Sequence, residues 1–292
     1  MCFQLIYLSS LSSLLIWFCR LRSKKWQYIE LIEIFENQTG CNLENSKVYH
    51  HFTSIRNIFS FFLTSVMLFY GFVDIYNPIM TFKKSNDYIQ LGQNLLLGLM
   101  SSLNILCFQL YNQFLVESCL HIHACWFTVN EHIRSLNIES PILNIYRVRE
   151  VRSMYSIAAD ITEKMDSFLR IPIFNAYNYL IISCFDNIVQ VWTVPTVYRI
   201  IHILFQLAIL ALITYNTIYI HYLSNECFHD VYQISYKVRS FACNNEVQLF
   251  LDRISQSNIG FSFLKISLIT PTFFTSWTSA LLTFVLSLPS LL

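Results

Sequence analysis

Residues 264–291 read LKISLITPTFFTSWTSALLTFVLSLPSL. The stretch is long enough to cross a bilayer, which takes about 20 predominantly apolar residues. Its one charge, Lys265, stands at the start. Within it Thr272, Ser276, Ser279, Thr283, Ser287 and Ser290 follow one another at intervals of four, three, four, four and three residues. A helix turns about 100° per residue, so all six share one face for about five turns. The other faces carry Phe273, Phe274, Trp277, Leu281, Leu282, Phe284, Val285, Leu286 and Leu288. A thin hydroxyl stripe on a greasy helix calls for water, or for another helix packed through small residues. Spacing alone leaves the two level.

The rest of the chain agrees that its solvent is lipid. Of 292 residues, 54% are hydrophobic, 16% aromatic and 13% charged, and the mean hydropathy is +0.46. A soluble domain carries about 25% charged residues. Half that charge cannot cover a water-soluble surface, which argues against a soluble enzyme domain and excludes disorder. A net charge of +1 gives no field for nucleic acid, and none is expected as a partner. The nine cysteines form no Cys-x-x-Cys pair and read as reduced thiols.

Six stretches are predicted to span: residues 1–19, 57–81, 90–118, 171–197, 200–223 and 264–291. The first has its positive charges after the apolar run and lacks a small-residue cleavage site, so it reads as a retained span and not a signal peptide. The third is the most polar, with Asn104, Gln109 and Asn112 among its amides; in lipid these must face other helices or a cavity. All but three of the 19 basic residues (Lys83, Lys84 and Arg199) fall in segments 20–56 and 119–170 or around the last connection. The positive-inside rule places those segments in the cytosol and both chain ends outside. The expected organisation is a transmembrane bundle over 1–223 with cytosolic connections 20–56 and 119–170, then 224–292 as a cytosolic helix and the last span. The sequon Asn37-Gln38-Thr39 then lies in the cytosol and is expected to stay unmodified.

Two amphipathic stripes stand outside the spans. Val148, Val151, Tyr155, Ala158, Ile161, Met165 and Phe168 have helical spacing, as do Val247, Phe250, Leu251 and Ile254, with Phe261 beyond them. Both read as helices that pack on something beneath the membrane, with each other as one available partner and a lone amphipathic helix lying on lipid as the alternative. No phosphate-binding, dinucleotide-binding or serine-nucleophile motif is present, and neither enzymatic activity nor a cofactor is expected. Cys119, His121, His123 and Cys125 resemble a metal cluster, but residues two apart lie about 200° apart on a helix. Cys119 and His123 thus share one face while His121 and Cys125 share another, and no metal is expected.

The final segment GFSFLKISLITPTFFTSWTSALLTFVLSLPSLL, residues 260–292, resembles the ending of insect gustatory receptors. Their last helix closes with Thr-Tyr, five apolar residues and Gln-Phe. Thr283 matches the Thr, Phe284 replaces the Tyr, Val285 to Pro289 fill the spacer, and Ser290 and Leu291 stand in the Gln-Phe positions. REVRSMYSIAADITEKMDSFLRIPIFNAYNYL (149–180) and EVQLFLDRISQSNIGFSFLK (246–265) resemble the stretches leading into the family's fifth and seventh helices.

The resemblance implies an all-α, polytopic membrane bundle of seven helices with an extracellular C-terminus. Aligned from the end, this chain shows six and is expected to lack the first. It also implies a taste receptor in the plasma membrane that acts as a ligand-gated, non-selective cation channel, assembled as a homo- or hetero-tetramer. The last helices would line one pore through Thr272, Ser276, Ser279, Thr283, Ser287, Ser290 and Leu291. The gate positions carry over to Ser287, Ser290 and Leu291. Ser287 and Pro289 depart from the usual apolar gate, which keeps a non-conducting partner subunit in play. A small-molecule tastant would enter from outside, into outer halves carrying Tyr70, Asp74, Tyr76, Gln93, Asn94, Asp186, Gln190, Trp192, His202 and Gln206. A G-protein-coupled receptor fits less well: Asn77-Pro78 is followed by Ile79, Met80 and Thr81, not by the Asn-Pro-x-x-Tyr pattern. A transporter is expected to show an internal repeat, and the halves show none.

Overall fold

The computed structural model describes residues 17–41, 43, 46–85, 88–139, 143–193, 197–256 and 258–291. Helices α1 (Lys25–Thr39), α2 (Ser46–Ser85), α3 (Tyr88–Glu139), α4 (Ile145–Thr193), α5 (Val197–Lys237), α6 (Phe241–Gln256) and α7 (Pro271–Leu291) follow in order. A two-stranded antiparallel hairpin, β1 (Ser262–Phe263) and β2 (Ser267–Leu268), precedes α7. Apart from residues 17–19, which are helical, the first predicted span lies outside the described residues.

The chain is a helical membrane bundle. Phe52–Val73, Tyr88–Ile138, Ile145–Trp192 and Val197–Lys237 are long and apolar enough to cross a bilayer. The 21 residues of α7 give about 31 Å at 1.5 Å per residue, close to the roughly 30 Å of a hydrocarbon core. This last helix starts at Pro271, later than the expected residue 264. Pro fits the first helical position, where no backbone donor is needed. Thr270 caps the end, its Oγ1 accepting the Phe273 N–H at 3.3 Å.

Helices α3, α4 and α5 hold 52, 49 and 41 residues. These are about 60–80 Å long, at least twice the hydrocarbon thickness. The stretches after residue 118 and before residue 171 are therefore continuations of the spans, because hydropathy marks where lipid ends and not where a helix does.

The chain divides into two compact units. The first comprises residues 1–23 and 51–117. Trp17 is buried there, edge-on to Tyr111 at 4.7 Å and to Phe114 at 5.1 Å. Phe61, Leu68, Phe72, Leu96 and Leu97 are exposed, as lipid-facing side chains are.

The second unit comprises residues 24–50 and 118–292. Both predicted stripes are buried in it, and they face each other. Trp126 of α3, Tyr155 of α4 and Phe250 of α6 form an edge-to-face chain with centroids 5.1 Å and 5.4 Å apart. All three are fully buried, and burying a large apolar side chain stabilises by about 1.5–3 kcal/mol. The Trp126 indole N–H donates to Thr162 Oγ1 at 3.1 Å, which satisfies the polar atom of that ring.

An ion cluster closes the rim. Arg149 Nη2 donates to Glu246 Oε1 at 2.7 Å, and Arg152 Nη2 stands 3.1 Å from Oε2. The Arg149 hydrogen bond, with the charges of Arg152 and Arg149 behind it, outweighs burial and holds the Glu246 carboxyl below the usual carboxylate range. A depressed folded value means that the stabilisation is complete above the unfolded value of about 4.3 and fades as pH falls through the folded one. Glu246→Gln is therefore expected to melt lower than the parent at pH 6–7, by no more than about 1 kcal/mol, since the two arginines stand partly in solvent. The gap should close below about pH 4. A gap that stays constant down to pH 3 would place the effect in packing instead.

Candidate functional site

The site begins at the foot of α7. Asp166 of α4 is only 8% exposed. Its Oδ1 accepts the Ser262 backbone N–H at 2.7 Å, its Oδ2 accepts the Ser262 hydroxyl at 2.8 Å, and Arg170 Nη2 stands 3.4 Å from Oδ2. This fastens the hairpin to α4. On the other side, His221 Nδ1 of α5 donates to the Ile259 carbonyl at 2.9 Å. Gly260 lies between these fastenings. A Cβ there would stand 3.2 Å from Leu268 Cδ1 and 3.3 Å from His221 Cβ, so glycine lets the backbone close in.

The hairpin turns through Leu264 and Lys265, both left-handed at φ 54° and 62°. The Ile266 N–H donates to the Phe263 carbonyl at 3.0 Å. Two positive φ values suit the twist of a tight hairpin, but each costs a side-chain-bearing residue about 1–2 kcal/mol. Phe263 offsets this: its buried ring meets Phe174 (5.2 Å) and Tyr177 (6.0 Å) of α4, and Phe273 (5.4 Å) and Trp277 (5.7 Å) of α7. One side chain thus couples α4 to the last helix.

That contact sets the rotation of α7. Phe273 and Trp277 lie about 100° and 140° around the helix from Thr272. The hydroxyl stripe is turned away from the chain's own aromatic contact, and Thr272, Ser276, Ser279 and Thr283 are exposed. Ser287 is partly buried, and the side chains of Ser290 and Leu291 lie outside the described residues. The Ser276 hydroxyl donates to the Thr272 carbonyl at 2.9 Å, and the Thr283 hydroxyl to the Ser279 carbonyl at 2.9 Å. A hydroxyl that spends its proton on its own helix presents only lone pairs outward. Such a face suits cations.

The predicted ligand residues fall on both units. On the first, the side chains of Tyr70 and Asp74 lie outside the described residues, Tyr76 is exposed and stacked on Phe72 at 5.5 Å, Gln93 is exposed, and Asn94 is partly buried. On the second, four of the five form two pairs, one on α4 and one on α5, which Ser183 and Arg199 bridge. Gln190 Nε2 donates to Asp186 Oδ2 at 2.8 Å. Gln206 is buried, its Nε2 2.8 Å from His202 Nε2 and bonded to Ser183 Oγ. Arg199 Nη1 reaches the Gln190 carbonyl at 3.0 Å. Trp192 points outward at 58% exposure and does not join. Ser183 enters the cluster unforeseen, since a small hydroxyl inside a span carries no signal of its own.

His123 Nε2 of α3 donates to the Asn216 carbonyl of α5 at 2.9 Å, while Cys125 Sγ and His121 Nε2 stand 4.0 Å apart. His123 is thus turned to α5, apart from the His121–Cys125 pair.

Neither a protein-family profile nor a curated protein sequence matches the chain. Among solved structures, the fold is similar to that of the insect olfactory receptor OR5 from Machilis hrabei, with a TM-score of 0.60. The match covers 96% of this chain and 79% of that one at 10% sequence identity, and it speaks to the fold.

Proposed function

We propose that the chain is a chemoreceptor subunit that assembles as a tetramer, in which a small molecule opens a non-selective cation path. The observation that carries this is the setting of α7. Its aromatic side is locked to α4 through Phe263, and its hydroxyl side is turned outward with lone pairs exposed. Four such faces around one axis would replace part of an ion's water shell without a fixed charge. The similarity in fold to an insect olfactory receptor supports a chemosensory role, and the resemblance of residues 260–292 to gustatory receptors supports a tastant as the stimulus. The chain then binds and conducts; it does not catalyse. It resides in the plasma membrane with its C-terminus outside, and the buried stripes of α4 and α6 belong to a cytosolic anchor.

The stimulus is assigned to the polar cluster of Ser183, Asp186, Gln190, His202 and Gln206. A carboxylate at membrane depth costs about 2.5–3.5 kcal/mol, which a wet pocket or a partner offsets. Asp186→Asn is expected to shift the half-maximal stimulus concentration by about tenfold, the weight of one charged hydrogen bond, with surface expression unchanged. Loss of surface expression would make Asp186 a structural partner of Arg199 instead.

Ser287 and Pro289 in the gate motif favour a second reading, a partner subunit that binds without conducting alone. Current recording separates the two. The first reading predicts stimulus-evoked cation current from this chain alone; the second predicts current only when another receptor subunit is co-expressed. A response that vanishes when G-protein signalling is blocked would overturn both.

A further inference from the structure

A cavity of about 630 Å³ opens on α5, away from the outer polar cluster. One wall is Tyr215, Tyr219 and Tyr222, whose rings stack at 5.6 Å and 5.8 Å with planes 12° apart. Asn225 and Glu226 stand at one end, and Pro271, the first residue of α7, lines it as well. The volume and the largely aromatic lining with a few polar groups suit a small organic molecule.

The charge at the polar end selects the ligand. Glu226 Oε1 takes Arg134 Nη2 at 2.8 Å, and Oε2 accepts from Asn130 Nδ2 at 3.2 Å. Arg134 is shared, because Asp230 Oδ2 stands 3.8 Å from its Nε. One guanidinium thus faces two carboxylates, and a negative charge is left over. An ionised carboxylate also has room for more than one donor on each oxygen. Tyrosine faces attract cations through their negative quadrupole. Tyrosines at a membrane boundary are common as interfacial anchors, but an anchor role leaves the surplus carboxylate beside them unexplained.

We propose that this groove is a second binding site, for an organic ammonium ion with an aromatic or alkyl body. The ammonium lies against the tyrosine faces and Glu226, and the body rests towards Ile218 and Pro271. Two sources carry this chemistry, a free amine and the choline headgroup of a lipid.

The test uses the full chain purified in a maltoside detergent, which carries no ammonium. Calorimetric titration compares benzyltrimethylammonium, benzyl alcohol and 3-phenylpropionate. The cation is expected to bind saturably and at least tenfold tighter than the alcohol, with no binding of the acid. Glu226→Gln should erase the preference for the cation. Tyr222→Leu, at a side chain 57% exposed and so of small cost to folding, should weaken cation binding several-fold. Repeating the titration in phosphatidylcholine nanodiscs separates the sources. A fall in apparent affinity assigns the groove to the headgroup, and an unchanged affinity assigns it to a free amine. Equal binding of all three probes, no saturable binding of the cation, or cation binding untouched by both substitutions overturns the site.

Discussion

Asp166→Ala is expected to abolish stimulus-evoked current and to destabilise the second unit by about 3 kcal/mol. The carboxylate is buried and accepts from both the backbone N–H and the hydroxyl of Ser262. Hydrogen bonds to a charged group contribute about 1.5–3 kcal/mol each, and the substitution leaves the part-buried Ser262 N–H with its acceptor gone. The functional loss exceeds the stability loss because of what the contact does. It fixes the hairpin whose Phe263 ring packs between α4 and α7, the contact on which the proposed opening depends. Asp166→Asn keeps one acceptor for the N–H and should fall between the parent and the alanine variant. Ser262→Ala removes only the hydroxyl and should cost about 1 kcal/mol with the response retained. Thermal melting and current normalised to surface protein, on the same three variants, check the series. If the alanine variant melts early but still responds fully at permissive temperature, the hairpin is a passive linker.

Much of this was legible in the residues. The stripes over 148–168 and 247–261 show by their own periodicity that each has one side to cover, and the contact of Tyr155 with Phe250 shows what covers part of it. The split of Cys119 and His123 from His121 and Cys125 follows from helical spacing, and the placement of His123 against α5 agrees with it. The hydroxyl stripe was plain, but its direction was not. Only the contact of Phe273 and Trp277 with Phe263 shows which side of α7 is spoken for.

The hairpin escaped notice for definite reasons. Ser262 to Leu268 is apolar enough to join the span that follows, and its turn uses Leu264-Lys265 where Asn-Gly or Asp-Gly would announce two positive φ values. Asp166 lies beside Met165, off the apolar line, where nothing in the sequence sets it apart from a solvated charge. Its partner is a backbone N–H 96 residues away, which no local pattern reveals. The long helices are hidden for a different reason: hydropathy separates lipid from water at residues 118 and 171, and Pro172 suggests a break where α4 runs on.

The proposed cation path requires the hydroxyl face of α7 to line water in the assembled protein, and cysteine accessibility tests that directly. In the single subunit Leu286 is 70% exposed, whereas Ser287 is partly buried. Exposure alone therefore predicts faster modification at residue 286. The pore reading predicts the reverse. Ser287 lies on the stripe and Leu286 about 100° off it, against lipid or a neighbouring helix, where a charged thiol reagent does not go. Each cysteine variant is treated with a small water-soluble thiol reagent during stimulation, with the parent's own cysteines as background. Ser287→Cys is expected to react at least tenfold faster than Leu286→Cys and to lose most of its current as it does so. Equal rates, or a faster reaction at residue 286, would make the stripe a packing face and contradict the proposed cation path.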